Sequence, residues 1–127
     1  MKKIIGSHIT LPVVWIFFFV LTHWPKEEMP DTPFIPHIDK VIHVLLFAML
    51  GFLFSHRISS NGTCIKRLGI VIAVFAAYGA FDEMTQPYVG RTTEILDWTA
   101  DVIGALMGFL LHHHWAKKIA QATHLHD

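Results

Sequence analysis

Charge is what this sequence is shortest of. Only 16% of its residues are Asp, Glu, Lys or Arg, against about a quarter in ordinary soluble domains. Ten basic and ten acidic residues cancel to a net charge of zero, so the chain carries no basic footprint for nucleic acid. Cysteine is nearly missing: Cys64 stands alone, which excludes an internal disulfide and leaves the redox compartment unreported. There is no internal repeat and no long low-complexity tract, which excludes solenoid architectures. The apolar run behind Lys2 and Lys3 has no small-x-small cleavage site after it; it ends in Thr22, His23, Trp24 and Pro25. It therefore reads as an uncleaved first span and not as a removable signal.

What is present is apolar surface. Of 127 residues 53% are hydrophobic, and mean hydropathy is +0.45. A domain this small has too much surface per volume to hide that much in its own core. A bilayer is the simplest place to put it. The expected fold is all-α, an integral membrane bundle of four transmembrane helices forming one domain over residues 1–127, with spans at about 5–24, 39–56, 66–86 and 95–115. Val13 to Leu21 is the most uniformly apolar segment and is expected to meet lipid, with Trp24 as an interfacial anchor. Prolines at 25, 30, 33 and 36 make Pro25 to His37 a loop. Pro87 stops or kinks the third span, and Ala116 to Asp127 reads as a polar tail.

Span lengths are informative. A transmembrane helix needs about 20 residues. The uncharged stretches Val41–His56, Leu68–Phe81 and Val102–Trp115 have only 16, 14 and 14. Each becomes long enough by extending through its polar flank, which draws Asp39, His43, Asp82, Glu83, Asp97 and Asp101 into the slab near one surface. Lys2, Lys3, Arg57, Lys66, Arg67, Lys117 and Lys118 lie on one side of the four-span arrangement, and Lys26, Lys40 and Arg91 on the other. The positive-inside rule then places both termini in the cytoplasm. Every acid but Asp127 falls on or near the opposite, outward face.

The stretch Ala80 to Asp101 concentrates the chemistry, with Asp82, Glu83, Glu94, Asp97 and Asp101 beside Gln86 and Arg91. Ionisable groups at membrane depth are costly and mark functional sites by default. Helical spacing puts Asp39, His43 and Phe47 on one face, Asp82 and Gln86 on another, and Asp97, Asp101, Gly104 and Gly108 on a third. The glycine pair is the spacing that lets membrane helices approach closely. The small residues Gly69, Ala73, Ala76 and Ala80 of the third span are its expected partner. Three polar helix ends should then converge, with Arg91 over them from a short loop. Carboxylates that close cannot all be charged.

These motifs in this order (Asp39-Lys40-x-x-His43-x-x-x-Phe47, then Asp82-Glu83-x-x-Gln86, then Arg91, then Asp97-x-x-x-Asp101-x-x-Gly104-x-x-x-Gly108) resemble the VanZ-like family. These are small bacterial membrane proteins named after an accessory factor that lowers sensitivity to teicoplanin. The resemblance covers roughly Asp39 to Leu111. One departure is Asp101, where the family pattern carries asparagine. The resemblance implies a multi-pass protein of the bacterial cytoplasmic (inner) membrane.

The leading expectation is a protein that binds or modifies an anionic lipid-linked envelope component at the outer leaflet and alters the response to glycopeptide-type or other surface-acting antibiotics. Asp39, His43, Asp82 and Glu83 are the candidate catalytic groups, and Lys40, Gln86, Arg91, Asp97 and Asp101 the candidate ligand-binding ones. Arg91 would grip a phosphate or carboxylate. Gly104 and Gly108 serve packing. The partner is a membrane lipid or lipid-linked precursor, with no nucleic acid. Two alternatives stay open. One is a membrane-embedded hydrolase or transferase in which Asp39 and His43 form a general base. The other is a buried polar network that only fixes helix packing. No residue is assigned as a metal ligand and no cofactor is implied, though oxygen-rich groups here would suit magnesium, calcium or manganese and His43 would admit zinc. His112, His113 and His114 read as a hydrated helix end.

Overall fold

The structure, a computed structural model, describes residues 9–25, 37–58 and 62–124. Among these residues four α-helices follow in chain order: α1 (Thr10–Thr22), α2 (Ile38–Arg57), α3 (Cys64–Thr85) and α4 (Ile95–His124), with a 3-10 turn at Gln86–Val89 between the last two. The described residues contain no strand. In a bilayer only helices and closed barrels satisfy every backbone group internally. The regular elements among the described residues are all helices, as that constraint requires of a spanning chain.

Local chemistry sets the helix ends. Thr63 caps α3, its side chain accepting from the Lys66 N–H at 3.3 Å. Pro87 has no N–H to continue the ladder, so α3 gives way to the 3-10 turn. Gly90 closes that turn at φ 75°, in the left-handed region that favours glycine. The Arg91 N–H then returns to the Gln86 carbonyl at 3.2 Å.

Three helices, Ile38–Arg57, Cys64–Val89 with its 3-10 turn, and Ile95–Ala122, are long and apolar enough to cross a membrane. Their surfaces agree: Leu45, Met49, Ile70, Met84, Leu110 and Leu111 all point outward. α1 is shorter, at 13 residues, or about 20 Å at the usual rise of an α-helix. Residues 5–8 of the expected first span, and positions 26–36 of the expected loop, lie outside the described residues. α2, α3 and α4 run unbroken through their polar flanks, carrying Asp39, His43, Asp82, Glu83, Asp97 and Asp101 inside helices. The fourth helix is longer than its apolar pattern suggests. It does not stop near 115 but continues through His124, so most of the expected tail is helix. Alanine, lysine and glutamine there are good helix formers and need no apolar face to propagate one.

The tightest packing is between α2 and α4, which run parallel with α3 returning between them in sequence. A Cβ on Gly104 would meet the Val44 Cα at 3.0 Å and the Ala48 N at 3.1 Å. One on Gly108 would meet the Phe52 N at 2.6 Å, and one on Gly51 the Ala105 Cα at 2.8 Å. Backbone therefore touches backbone along this seam. The glycine stripe of α4 thus faces α2 and not the small residues of α3. Gly69 has nothing within 4 Å, and Ala73 is exposed. Small residues at helical spacing show that a close approach is possible, not which neighbour uses it. Around the seam, Phe18, Phe47, Leu50, Val71, Phe75, Ala105 and Phe109 form the core. Trp15 lies flat on Phe75 at 5.4 Å.

Candidate functional site

At the end of the bundle where α2 and α4 begin and α1 and α3 finish, polar side chains turn inward. Asp82, Gln86 and Asp101 are fully buried, and His43, Glu83 and Asp97 nearly so. They fall into two neighbouring groups.

The first is closed by a lysine. Lys40 Nζ lies 2.9 Å from Asp39, 2.7 Å from Glu94 and 2.9 Å from Asp97. Its ammonium has three donors, and three carboxylates take them. The α2–α4 seam sets this register: Lys40 meets Asp97, one turn further His43 meets Asp101, and beyond them the glycines make contact.

The second group holds His43, Asp82, Glu83 and Asp101, all buried. One potential ligand atom from each lies within 4.8 Å of the others. His43 Nδ1 is 2.7 Å from Asp101 Oδ1. Asp82 accepts from the Thr22 hydroxyl at 2.8 Å and from Gln86 Nε2 at 3.0 Å. Glu83 accepts the Glu94 N–H at 2.7 Å, and its backbone carbonyl accepts from Thr93 at 2.8 Å. It thus covers the N-terminus of α4, where a carboxylate is favoured by unpaired N–H groups and the helix dipole. Gln86 Nε2 also reaches Glu83 Oε1, at 3.4 Å. Among the described residues Asp101 Oδ2 and Gln86 Oε1 are buried without a hydrogen-bond partner.

Several positions differ from the sequence reading. The carboxylate partner of His43 is Asp101, from another helix, and not Asp39, four residues earlier on its own. Asp39 is turned to Lys40 instead. A helical face can be read from spacing, but a shared face does not make two side chains touch when a closer partner stands opposite. Arg91 does not reach over the acids. Its guanidinium extends to the Trp24 carbonyl at 3.5 Å, and among the described residues it forms no ion pair. Four helix ends converge, not three, because α1 takes part through Thr22 and His23. His23 Nδ1 stands 2.9 Å from the Phe19 carbonyl, which can only accept, so Nδ1 carries a proton. The same nitrogen is 3.6 Å from Asp82, and Nε2 is 2.8 Å from the Thr85 hydroxyl. Those α1 residues sit at the end of a lipid-like run. The one available signal was a polar Thr-His pair at the level of the acids.

His112 also departs from expectation. It is buried, edge-on to Phe52 at 5.4 Å and to His56 at 5.5 Å, while His114 is exposed. The triplet is therefore not a uniformly hydrated end.

An apolar groove adjoins the buried group. It has a volume of about 280 Å³ and is lined by Ala80, Met84, Ile95 and Trp98, with Glu83, Thr93 and Glu94 as its polar lining. Trp98 is held there by its Nε1–H, which donates to the Ala76 carbonyl at 3.0 Å.

A family match covers the same residues. The family model described as VanZ/LLP1 matches residues 4–116. The chain belongs to the VanZ/LLP1 family. No curated protein and no solved structure matches it. Within this VanZ/LLP1 chain, the buried group unites residues from α2, α3 and α4, and every one of them lies inside the matched segment.

Proposed function

We propose that this VanZ/LLP1 protein is a bacterial envelope membrane protein that binds an anionic, lipid-linked component at the outer leaflet and thereby alters the response to glycopeptide-type or other surface-acting antibiotics. The observation that carries the reading is the groove between α3 and α4. Its wall of Ala80, Met84, Ile95 and Trp98 suits a hydrocarbon chain, and Glu83, Thr93 and Glu94 border it with polar groups. An amphipathic ligand needs both at once. Of the two described basic side chains at this end, Lys40 is committed to three carboxylates. Arg91 makes one long contact, and its Nε has no partner. It is the side chain available to a phosphate or carboxylate. The lysine and arginine distribution supports an outward-facing site.

The test is susceptibility to teicoplanin and related agents in cells with and without the protein. Wild type should shift the susceptibility, and Arg91→Ala and Trp98→Ala, expressed to the same level, should not. An unchanged shift with Arg91→Ala would sink the proposal.

One observation favours a second reading, a hydrolase or transferase acting on such a lipid. The His43–Asp101 pair, 2.7 Å apart, is an imidazole oriented by a carboxylate, the arrangement of a general base. Purified protein should then turn over a lipid-linked precursor, and His43→Ala should abolish turnover. No turnover across a panel of envelope lipids would count against it.

A further inference from the structure

We infer that His43, Asp82, Glu83 and Asp101 form a binding site for one divalent cation. Three carboxyl groups are buried together here, and buried charges are ordinarily paired or bound to a metal. The two acid groups at this end provide an internal comparison. Asp39, Glu94 and Asp97 are gathered around the Lys40 ammonium at 2.7–2.9 Å. Asp82, Glu83 and Asp101 are gathered just as closely, with ligand atoms within 4.8 Å of one another and of His43. Among the described residues no lysine or arginine pairs with any of them. Among the described residues Asp101 and Asp82 are paired with imidazoles alone, His43 at 2.7 Å and His23 at 3.6 Å.

Hydrogen bonding points the same way, and independently. Two buried oxygens in this group, Asp101 Oδ2 and Gln86 Oε1, have no donor among the described residues. Both can accept, so the group has lone pairs to spare for a cation. Gln86 belongs to the group by contact, since its Nε2 touches both Asp82 and Glu83. Asp101 Oδ2 faces α3 at Gly79, where a Cβ would come within 3.0 Å of it. That missing side chain lets the carboxylate lie beside the helix that supplies the other two.

One imidazole nitrogen with three carboxylate oxygens is a hard-to-borderline donor set that suits manganese or zinc. Ligands around a single ion at about 2.1 Å stand roughly 3–4 Å apart, so side-chain shifts below an ångström would close the set. The His43–Asp101 contact, at 2.7 Å, already brings imidazole and carboxylate side by side, and it would give way to their shared ion. A bound cation would also reconcile an acidic site with an anionic ligand. The inference does not need that ligand, because its probe is the metal alone.

The experiment uses the full chain purified in detergent, stripped with chelator and titrated with Mn²⁺. Loss of the free-ion electron paramagnetic resonance signal measures uptake. Manganese is preferred because the exposed imidazole of His114 on α4 would take up zinc nonspecifically. One equivalent should bind. Asp101→Asn, which keeps the shape and removes a charge, should weaken binding at least tenfold, and His43→Ala should do the same. His114→Ala should bind as wild type does. Circular dichroism identifies the variants that remain folded. Absence of stoichiometric uptake by folded wild type would overturn the inference. So would an unchanged affinity in folded Asp101→Asn, or a loss of binding in His114→Ala.

Discussion

Two glycine-to-alanine substitutions should have opposite effects, and the difference tests the α2–α4 seam. Alanine at Gly69, which has nothing within 4 Å, gains helix propensity without a clash, about 0.5–1 kcal/mol of stabilisation. Alanine at Gly108 gains the same propensity, but its Cβ would lie 2.6 Å from the Phe52 N and 2.9 Å from the Ala48 C, and closer still to the Ala48 carbonyl oxygen. Ordinary contact begins near 3.4 Å, and backbone atoms cannot rotate aside. The helices must separate by more than half an ångström, and a gap of that size forfeits a quarter to a half of each dispersion contact along the seam. Overpacking costs about 1–3 kcal/mol, which outweighs the propensity gain. The propensity gain cancels between the two, so they should differ by the overpacking cost, about 1–3 kcal/mol, or roughly 5- to 150-fold in the unfolding equilibrium. Titration with sodium dodecyl sulfate in mixed micelles, followed by far-ultraviolet circular dichroism, measures it. Equal midpoints, or Gly108→Ala the more resistant of the two, would refute the backbone-contact argument.

Further outcomes follow from individual contacts. Thr22→Val keeps the volume but removes the hydroxyl that donates to Asp82 at 2.8 Å; it should lower stability by about 1–3 kcal/mol, and an unaltered midpoint would mean α1 is not tied down there. Lys40→Met leaves Asp39, Glu94 and Asp97 without their shared cation. Because Asp39 and Glu94 are each 40% exposed, water relieves part of the loss, and about 1–3 kcal/mol is expected in the same titration. Cys64 is exposed at the start of α3, beside Lys66 and Arg67. With that end in the cytoplasm, a membrane-impermeant maleimide should label it only after cells are permeabilised. Labelling of intact cells would reverse the proposed orientation.

Much of the site was legible because helix geometry is local. The spacing of Asp82 and Gln86 predicts a common face, and the two do hydrogen-bond at 3.0 Å. Short uncharged stretches predict helices that run through their acidic flanks, and α2, α3 and α4 do so. The contribution of Thr22 and His23 was hidden, because in an apolar run one polar pair looks the same whether it faces lipid, water or a neighbouring helix. The burial of His112 was hidden for a related reason. Consecutive histidines point in different directions, and the sequence does not say which direction is inward.

Composition and run length by themselves determined that this chain is an all-α membrane bundle with its acids gathered at one end, since a small domain cannot bury so much apolar surface in itself. Only the tertiary structure decided which acid answers which base. Periodicity sets the faces of a single helix but not its rotation against another. Here the rotation is set where Gly104 and Gly108 press on Val44, Ala48 and Phe52. That contact brings Asp97 to Lys40 and Asp101 to His43, and leaves Asp82 and Glu83 facing them from α3 without a lysine or arginine partner among the described residues.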